Sequence, residues 1–235
     1  MCGRFVSTTP PAVLAERFHV AEVRTDDLGE RFNVAPTDEV YAVAESKDGT
    51  RRLGTLRWGL VPFWAKDPKV GNRMINARLE TLASKFTRTL ERRRCLIPAD
   101  GFYEWQQRDE GDKRPKQPFF IHRKDGEPMA FAGLWEVWHD PDHPDADPLR
   151  TCTIITTDAN QVVARTHDRM PVMLPEAKWK AWLDVDQHDV DTVHGLLVPA
   201  PAGDLAVYPV STEVNSVKND GPHLVAPLEG HEPSL

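Results

Sequence analysis

Hydrophobic residues occur along the chain mostly in short alternating runs, with a few longer stretches in which they recur every three to four positions. The first pattern is typical of β-strands and the second of amphipathic helices. The runs that predict strands are Val40–Val43, Thr55–Val61, Cys95–Ile97, Phe102–Trp105, Phe119–His122, Met129–Trp138, Thr151–Thr156 and Val207–Val210. The stretches that predict helices are Glu80–Arg92, Ala159–Arg165, Pro175–Leu183 and Val190–Leu197. Many short strands with few helices indicate an α+β protein, with a curved, barrel-like mixed β core flanked by helices.

The ends of the chain and one internal loop complete this outline. Thr9-Pro10-Pro11, followed by Val13, Leu14 and Phe18, predicts a capped N-terminal helix with proline in its first turn. Asp140–Pro148 is rich in proline and aspartate and predicts a surface loop. Because no stretch has the composition of a linker, we predict one domain over residues 1–227 and expect residues 228–235 to fray.

Composition limits the cellular context. No apolar run is long enough to span a membrane, and the first residues lack the features of a signal peptide, so we expect a cytoplasmic protein. We also expect it to act as a monomer. The cysteines are Cys2, Cys95 and Cys152, an odd number without paired spacing. A disulfide framework is therefore not expected, and at least one thiol should be free.

The net charge of -7 hides a strong asymmetry. Between Arg57 and Arg94 there are ten basic and three acidic residues, so this segment carries +7 and the rest of the chain -14. A basic patch can bind phosphates on an acidic protein because screening confines each patch to its own neighbourhood. The cations of Arg92–Arg94 could equally form a solvated helix face.

Cys2 is the first candidate for chemistry. If Met1 is removed, Cys2 carries an α-amine and a thiol on adjacent carbons, with ordinary pKa values of about 8 and about 8.5. Such a 1,2-aminothiol reacts with an aldehyde through an imine to a five-membered thiazolidine, and a ring-opened abasic deoxyribose presents an aldehyde. Taken alone, however, Cys2 is more simply an incidental small residue, and Arg4 could bind a phosphate or form a surface ion pair.

Three further polar residues stand at positions that suit catalysis. Asn76 precedes a predicted helix, where its amide could orient a reacting group or cap the helix. Glu104 lies among aromatic residues that could raise its pKa, although strand alternation could equally point it to water. His167 follows a predicted helix and could transfer protons or only favour the helix dipole. Arg78 could bind a phosphate or a structural carboxylate.

Aromatic residues are interleaved with the basic segment. Trp58, Phe63 and Trp64 could stack on bases while the cations follow the backbone of a single strand. Trp58 could as easily belong to the core. Metal-ligand spacings such as CxxC or HExxH and the glycine-rich nucleotide motifs do not occur, so we expect neither a metal nor an organic cofactor.

Seven motifs in order along the chain resemble the SOS response-associated peptidase family. They are Met1–Phe5, Arg31–Pro36, Arg57–Pro62, Ile75–Glu80, Cys95–Trp105, Thr166–Pro171 and Val217–Pro222. The resemblance covers nearly the whole chain and leaves out the loop Asp140–Pro148. It implies a single α+β domain with a barrel-like β core.

The resemblance also implies a function. Cys2 would form a thiazolidine with abasic sites in single-stranded DNA, once Met1 is lost by self-cleavage or to an aminopeptidase. Asn76 matches the residue that senses the abasic site, Glu104 the catalytic glutamate and His167 the active-site histidine. The residues implied in DNA binding are Arg4, Asn33, Pro36, Trp58, Phe63, Trp64 and Arg78. At position 63 this chain has phenylalanine where some relatives carry tryptophan, so the strength of base stacking at this position is left open.

Two other functions remain compatible with these residues. Cys2, His167 and Glu104 could form the nucleophile, base and orienting group of a thiol peptidase, which we restrict to removal of Met1. Alternatively, the protein could be a non-covalent reader of damaged or modified DNA, with Cys2 a bystander. Partner proteins, such as those of the replication fork, are not defined by the sequence.

Overall fold

The computed structural model describes residues 2–106 and 115–230. Its strands are β1 (Phe5–Ser7), β2 (Glu22–Val23), β3 (Arg31–Val34), β4 (Glu39–Glu45), β5 (Arg51–Trp58), β6 (Asn76–Arg78), β7 (Arg94–Ala99), β8 (Gly101–Trp105), β9 (Pro118–Arg123), β10 (Met129–Trp138), β11 (Leu149–Asp158), β12 (Arg169–Pro171) and β13 (Leu205–Pro209). Its α-helices are α1 (Pro11–Arg17), α2 (Leu79–Lys85), α3 (Thr87–Arg92), α4 (Glu176–Leu183) and α5 (Val190–His194).

Five strands close into a barrel, which confirms the predicted fold class. The order β11-β10-β7-β4-β5 is antiparallel throughout, and β5 then returns to β11 in a short parallel pairing of Arg57 with Thr151 and Trp58 with Cys152. In β10, a Cβ on Gly133 would come within 3.0 Å of the Cys95 sulfur, so glycine permits the close approach of β10 and β7 at this position. Because β5 pairs with β11, fewer backbone N–H and C=O groups are left unpaired along these strands.

A second sheet, in the order β13-β9-β8-β1-β3, packs beside the barrel. The apolar core between them contains Phe5, whose ring lies 5.2 Å from that of Trp58 and 6.1 Å from that of Phe131. The other face of the barrel is covered by helices, with Phe18 of the N-terminal segment stacked 4.6 Å from Trp179 of α4. The candidate site lies where the second sheet meets the barrel.

Three predicted helices differ from those observed. The stretch Glu80–Arg92 forms two helices, because the backbone leaves the helical region at Phe86, whose φ is -126°. In Ala159–Arg165 only Val163–Arg165 is helical, as a 3-10 turn, since the Asn160 carboxamide oxygen accepts hydrogen bonds from the Val162 and Val163 amides. The last predicted helix ends at His194. No helix in the described part of the chain is long and apolar enough to cross a membrane.

The two ends of the domain also differ in detail from expectation. Helix α1 starts as predicted, but Thr9 does not cap it, because its hydroxyl and amide both bond to the Asp100 carboxylate, at 2.5 and 3.0 Å. At the other end, Leu228 donates a hydrogen bond to the Pro209 carbonyl at 3.0 Å, so the ordered chain passes residue 227. The remainder of the tail expected to fray lies, from residue 231, outside the described residues.

Candidate functional site

Antiparallel pairing of β1 with β8 brings the start of the chain alongside Glu104. Phe5 pairs with Phe102, and the Tyr103 amide donates to the Arg4 carbonyl at 3.0 Å, so the residues before Arg4 run past Glu104. Cys2 is completely buried there. Burial raises the pKa of its thiol far above the ordinary value, and the nearby charge of Glu104 raises it further.

Asn76 reaches this position from the barrel side. Strand β6 pairs in parallel with β11, Asn76 opposite Ile154, which fixes its direction. Its carboxamide nitrogen donates to the Cys2 carbonyl at 2.9 Å and to the Ile75 carbonyl at 2.8 Å. Its carboxamide oxygen is buried and has no hydrogen-bond partner among the described residues. The amide therefore holds the backbone of Cys2 and keeps one acceptor for another donor.

Glu104 is buried, which settles the alternative that the sequence left open. Strand β8 lies between β1 and β9, and the Glu104 side chain is 1% exposed. Burial raises its pKa to about 7, and the negative charge of Asp168 contributes in the same direction. A carboxyl group with this pKa is present in comparable amounts as acid and as base at neutral pH, which suits proton transfer in either direction.

His167 lies in the loop between the 3-10 turn Val163–Arg165 and β12. Burial is the main cause that lowers its pKa, and the charge of Asp168 opposes it. Its Nδ1 lies 3.0 Å from the Arg169 amide and 2.8 Å from an Asp168 carboxylate oxygen. In the neutral ring Nδ1 accepts from the Arg169 amide, so we assign the proton to Nε2. If the ring were protonated, Nδ1 would instead donate its hydrogen to the Asp168 carboxylate.

Arg169 is a residue whose contribution our sequence reasoning missed. Its guanidinium is largely buried and bonds to both carboxylate oxygens of Glu80, at 2.5 and 3.1 Å, to Asp158 at 2.8 Å and to the Thr156 carbonyl at 2.8 Å. It thereby fastens the His167 loop to the first turn of α2, directly after Asn76 and Arg78. One feature of the sequence could have revealed this role: Arg169 is a charged residue that stands next to apolar residues in the motif Thr166–Pro171.

Arg4 and Asn33 are engaged with the C-terminal segment rather than with solvent. The Arg4 guanidinium donates to the Asn33 carboxamide oxygen at 2.8 Å and to the Val214 carbonyl at 2.9 Å. The Asn33 nitrogen donates to the Ser216 and Asn219 carbonyls at 2.9 and 2.8 Å, and Asn33 is 3% exposed. Asn33 therefore connects β3 to Arg4 and to residues 214–219 through its hydrogen bonds. It could contact DNA only if it exchanged some of these bonds.

Trp58 requires a correction. The sequence offered it as a platform for base stacking, but it is fully buried and its indole nitrogen donates to the Ile75 carbonyl at 2.9 Å. A ring enclosed by the core cannot present a face to a base, so we remove Trp58 from the DNA-binding set. Pro36 is partly exposed, in a turn held by the bond from the Thr37 amide to the Trp58 carbonyl at 2.8 Å.

Phe63 and Trp64 are the prominent exposed aromatic residues near the basic segment. They are 49% and 69% exposed, in a turn closed by the bond from the Ala65 amide to the Pro62 carbonyl at 2.9 Å. The Arg88 guanidinium lies 4.1 Å from the centre of the Phe63 ring, a cation–π arrangement. Arg78, at the end of β6, is also exposed.

The basic segment loses three of its ten cations to internal contacts. Arg57 bonds to the Asn72 carboxamide at 3.2 Å, and Arg93 pairs with buried Glu136 at 2.5 Å. Arg94 is 5% exposed and donates to five backbone carbonyls, so the solvated-face interpretation is wrong for Arg94. Seven cations of the segment remain exposed: Lys66, Lys69, Arg73, Arg78, Lys85, Arg88 and Arg92. No group of three or more His, Cys, Asp or Glu side chains in the described ranges is placed to hold a metal.

Known proteins resemble this chain over most of its length. The chain matches the model of the SOS response associated peptidase (SRAP) family over residues 1–217. It is 43% identical to the abasic site processing protein YoqW of Bacillus subtilis, over 96% of this chain and 99% of that protein. It is 38% identical to the abasic site processing protein HMCES of Gallus gallus, over 80% of this chain and 61% of that protein.

The fold is shared with solved structures as well. A crystal structure of a protein from Bacteroides thetaiotaomicron superposes with a TM-score of 0.83 at 23% identity, covering 97% of this chain and all of that one. The family model and the relatives both extend over most of the chain. This chain belongs to the SOS response associated peptidase (SRAP) family.

Proposed function

We propose that this protein captures abasic sites in single-stranded DNA as a covalent thiazolidine at Cys2, after Met1 has been removed, and so shields the lesion. The observation that carries the proposal is the convergence of Cys2, Asn76 and Glu104, with the Asn76 amide bonded to the Cys2 backbone. The names of the relatives, which describe abasic site processing, support the choice of substrate. The protein acts as a monomer and needs no cofactor.

The chemistry requires both nucleophiles of the processed residue. The α-amine of Cys2 adds to the C1′ aldehyde of the ring-opened sugar, and loss of one water gives an imine. The thiol then adds to the imine carbon, its proton passes to the nitrogen, and the five-membered ring closes. The sum is one protein and one aldehyde giving one adduct and one water.

Glu104 and His167 supply the proton transfers that these steps need. With a pKa of about 7, Glu104 can accept a proton from the amine or thiol and return it to the departing water. His167, whose pKa is lowered mainly by burial, assists opening of the sugar and, in reverse, hydrolysis of the adduct. Asn76 uses its buried carboxamide oxygen to accept a hydrogen bond from the sugar or the Cys2 amine.

The exposed surface beside this site would hold the strand. Phe63 and Trp64 offer ring faces for bases next to the lesion, and Arg78 offers a guanidinium for a phosphate. Arg4 contributes to phosphate binding only after exchanging part of its present hydrogen bonds, and the same holds for Asn33. Pro36 borders the surface from its partly exposed turn.

The decisive experiment is denaturing electrophoresis after incubation with a single-stranded abasic oligonucleotide. We expect the wild type to give a shifted band that survives denaturation, and Cys2→Ala to give none. Cys152→Ala is the matched control, because it also removes a fully buried thiol, and it should retain the shift. A shift of wild-type intensity with Cys2→Ala would rule out the thiazolidine.

Two further variants separate the alternatives. A protein with one extra residue kept before Cys2 has an intact thiol but no free α-amine there, so it should not cross-link, whereas a simple thiol nucleophile would still react. Self-removal of Met1 is measured by mass spectrometry of the purified chain, comparing wild type with Glu104→Gln. A non-covalent reader would bind abasic strands in native gels and leave no denaturation-resistant band.

A further inference from the structure

A groove continues from the exposed aromatic residues along helix α3 to the open end of the barrel. Its first part lies between Phe63, Trp64 and Arg88. Arg88 also borders a second part of about 830 Å³, which runs past Arg92 and Arg93 to Trp135. Trp135 in turn borders a third part, which is lined by residues of both β4 and β5 and by Arg150. Shared lining residues join the three depressions into one path.

The charges along this path suit a polyanion. Arg88 and Arg92 are exposed and stand one helical turn apart on α3, about 6 Å along its axis. That is comparable to the distance between successive phosphates of an extended strand. The carboxylate of Glu136 is neutralised by Arg93 at 2.5 Å, and Glu45 lies 4.0 Å from Arg51. The cations therefore outweigh the acidic groups, of which exposed Asp186 is the remaining one on this path.

Trp135 gives the path an aromatic surface. It lies on the barrel strand β10, opposite Cys152, and is partly exposed. The Arg93 guanidinium lies 5.1 Å from the centre of its ring and is itself held by Glu136, so both groups are fixed in place. A rigid ring beside a guanidinium is the arrangement on which unpaired bases stack in single-strand binding sites.

We propose that this groove is a second binding site for single-stranded nucleic acid, in which Trp135 stacks on a base and Arg88 and Arg92 bind the phosphates leading to it. The inference rests on the proposed function, because the strand would be the flank of the captured lesion that continues past Phe63 and Trp64. Two stacking positions, Trp64 and Trp135, would then hold the strand at separate points, and the cations of α3 would bridge them.

The test measures affinity for undamaged single strands, so it does not depend on abasic chemistry. Oligonucleotides are lengthened one nucleotide at a time, and binding is followed by fluorescence anisotropy. The wild type should gain about tenfold in affinity at the length that reaches Trp135, the order of magnitude of one base stacked on an aromatic ring. Trp135→Leu should lose this gain, and Trp135→Phe should recover part of it. Lys124→Ala, which removes an exposed cation from the β9–β10 turn, is the control and should keep the gain.

A second measurement locates the site relative to the lesion. Abasic oligonucleotides that extend only to the 5′ or only to the 3′ side are cross-linked to wild type and to Trp135→Leu. Extension on one of the two sides should increase the rate of cross-linking to the wild type but not to Trp135→Leu. The shortest abasic strand should cross-link to the two proteins at the same rate. If Trp135→Leu kept the length-dependent gain in affinity, the groove would be ruled out as the second binding site. If no abasic strand cross-linked, the proposed function would be wrong. The anisotropy result would still decide whether the groove binds single strands, because it uses undamaged oligonucleotides.

Discussion

Glu104 is a carboxyl group enclosed by protein beside an equally enclosed thiol. Its pKa of about 7 follows mainly from burial. The same burial raises the pKa of the Cys2 thiol, and the charge of Glu104 raises it further. Protonation of Glu104 therefore makes the thiolate easier to form, whereas its ionised form is the one that can take the proton. The two groups are coupled, and the rate should depend on pH near neutrality.

Replacing Glu104 by Gln should slow covalent capture and change its pH dependence. A general acid/base group typically contributes ~100- to 10,000-fold in rate, so a loss of at least about 100-fold is expected. The wild-type rate should change around pH 7, where Glu104 titrates, and the variant should lack that inflection. Single-turnover cross-linking across pH measures both. Equal inflections in the two proteins would assign the titration to another group.

The same substitution should change how stability depends on pH. The folded pKa of about 7 lies above the ordinary value of 4.5, so the folded state binds the proton more tightly than the unfolded chain. The contribution of Glu104 to stability is therefore greatest below pH 4.5 and declines as pH rises towards 7, by up to about 3 kcal/mol. Relative to wild type, Glu104→Gln should gain stability across that window in urea denaturation. A difference between the two proteins that is constant from pH 4.5 to 7 would contradict this.

The seven motifs pointed to Cys2, Asn76, Glu104 and His167 as site residues, and their roles stay predictions. The β1–β8 and β6–β11 pairings bring Cys2, Glu104 and Asn76 together, whereas His167 lies in the loop before β12. How each side chain is held could not be predicted from the sequence. Burial of Glu104 could not be read from alternation, because one neighbour of β8, the strand β1, is supplied by a distant part of the chain. Trp58 misled for the same reason, since its enclosure depends on Phe5 and Ile75.

At the scale of elements, long strands and amphipathic stretches were predictable and short ones were not. β4, β10 and β11 carry long apolar runs, whereas β1, β6 and β12 have three residues each and are defined only by their partners. The split between α2 and α3 was also missed, because Phe86 has no helix-breaking side chain. Its partly buried ring packs into the core that lies between the barrel and the helices, and tertiary packing there outweighs local propensity.

Arg94 illustrates how one residue can hold several element ends. Its guanidinium donates to the Leu90 and Glu91 carbonyls near the end of α3, at 2.6 and 2.7 Å, and to the Trp182 carbonyl of α4 at 2.6 Å. Carbonyls in the last turn of a helix have no partner within it, so a buried cation there supplies missing donors.

Arg94→Met should therefore destabilise the protein by about 3 kcal/mol, since it leaves these buried carbonyls without donors. Arg92→Met is the matched control, because Arg92 is an exposed arginine in the same segment, and it should change stability by less than about 0.5 kcal/mol. Urea denaturation of both variants measures the difference. Similar stabilities would mean that water replaces the guanidinium without cost.

At the scale of the whole molecule, an acidic protein carries a basic segment, whose exposed cations we call its basic face. The net charge is -7, yet seven cations of the segment from residue 57 to residue 94 are exposed, together with Phe63 and Trp64. The sequence count overestimated this face, since Arg57, Arg93 and Arg94 serve internal contacts. Separation of charge of this kind orients a polyanion towards one side and repels it from the others.

Binding of undamaged single strands should consequently weaken with salt. If about four of the exposed cations contact phosphates, the logarithm of affinity should fall against the logarithm of salt concentration with a slope of about -3, using about 0.7 per phosphate for single strands. Arg78→Ala should weaken binding to all sequences alike and make the slope less steep by about 0.7. Lys124→Ala removes a cation outside the basic face and should leave the slope unchanged. Anisotropy titrations at several salt concentrations measure these slopes, and a flat response in the wild type would show that the basic face does not bind the strand.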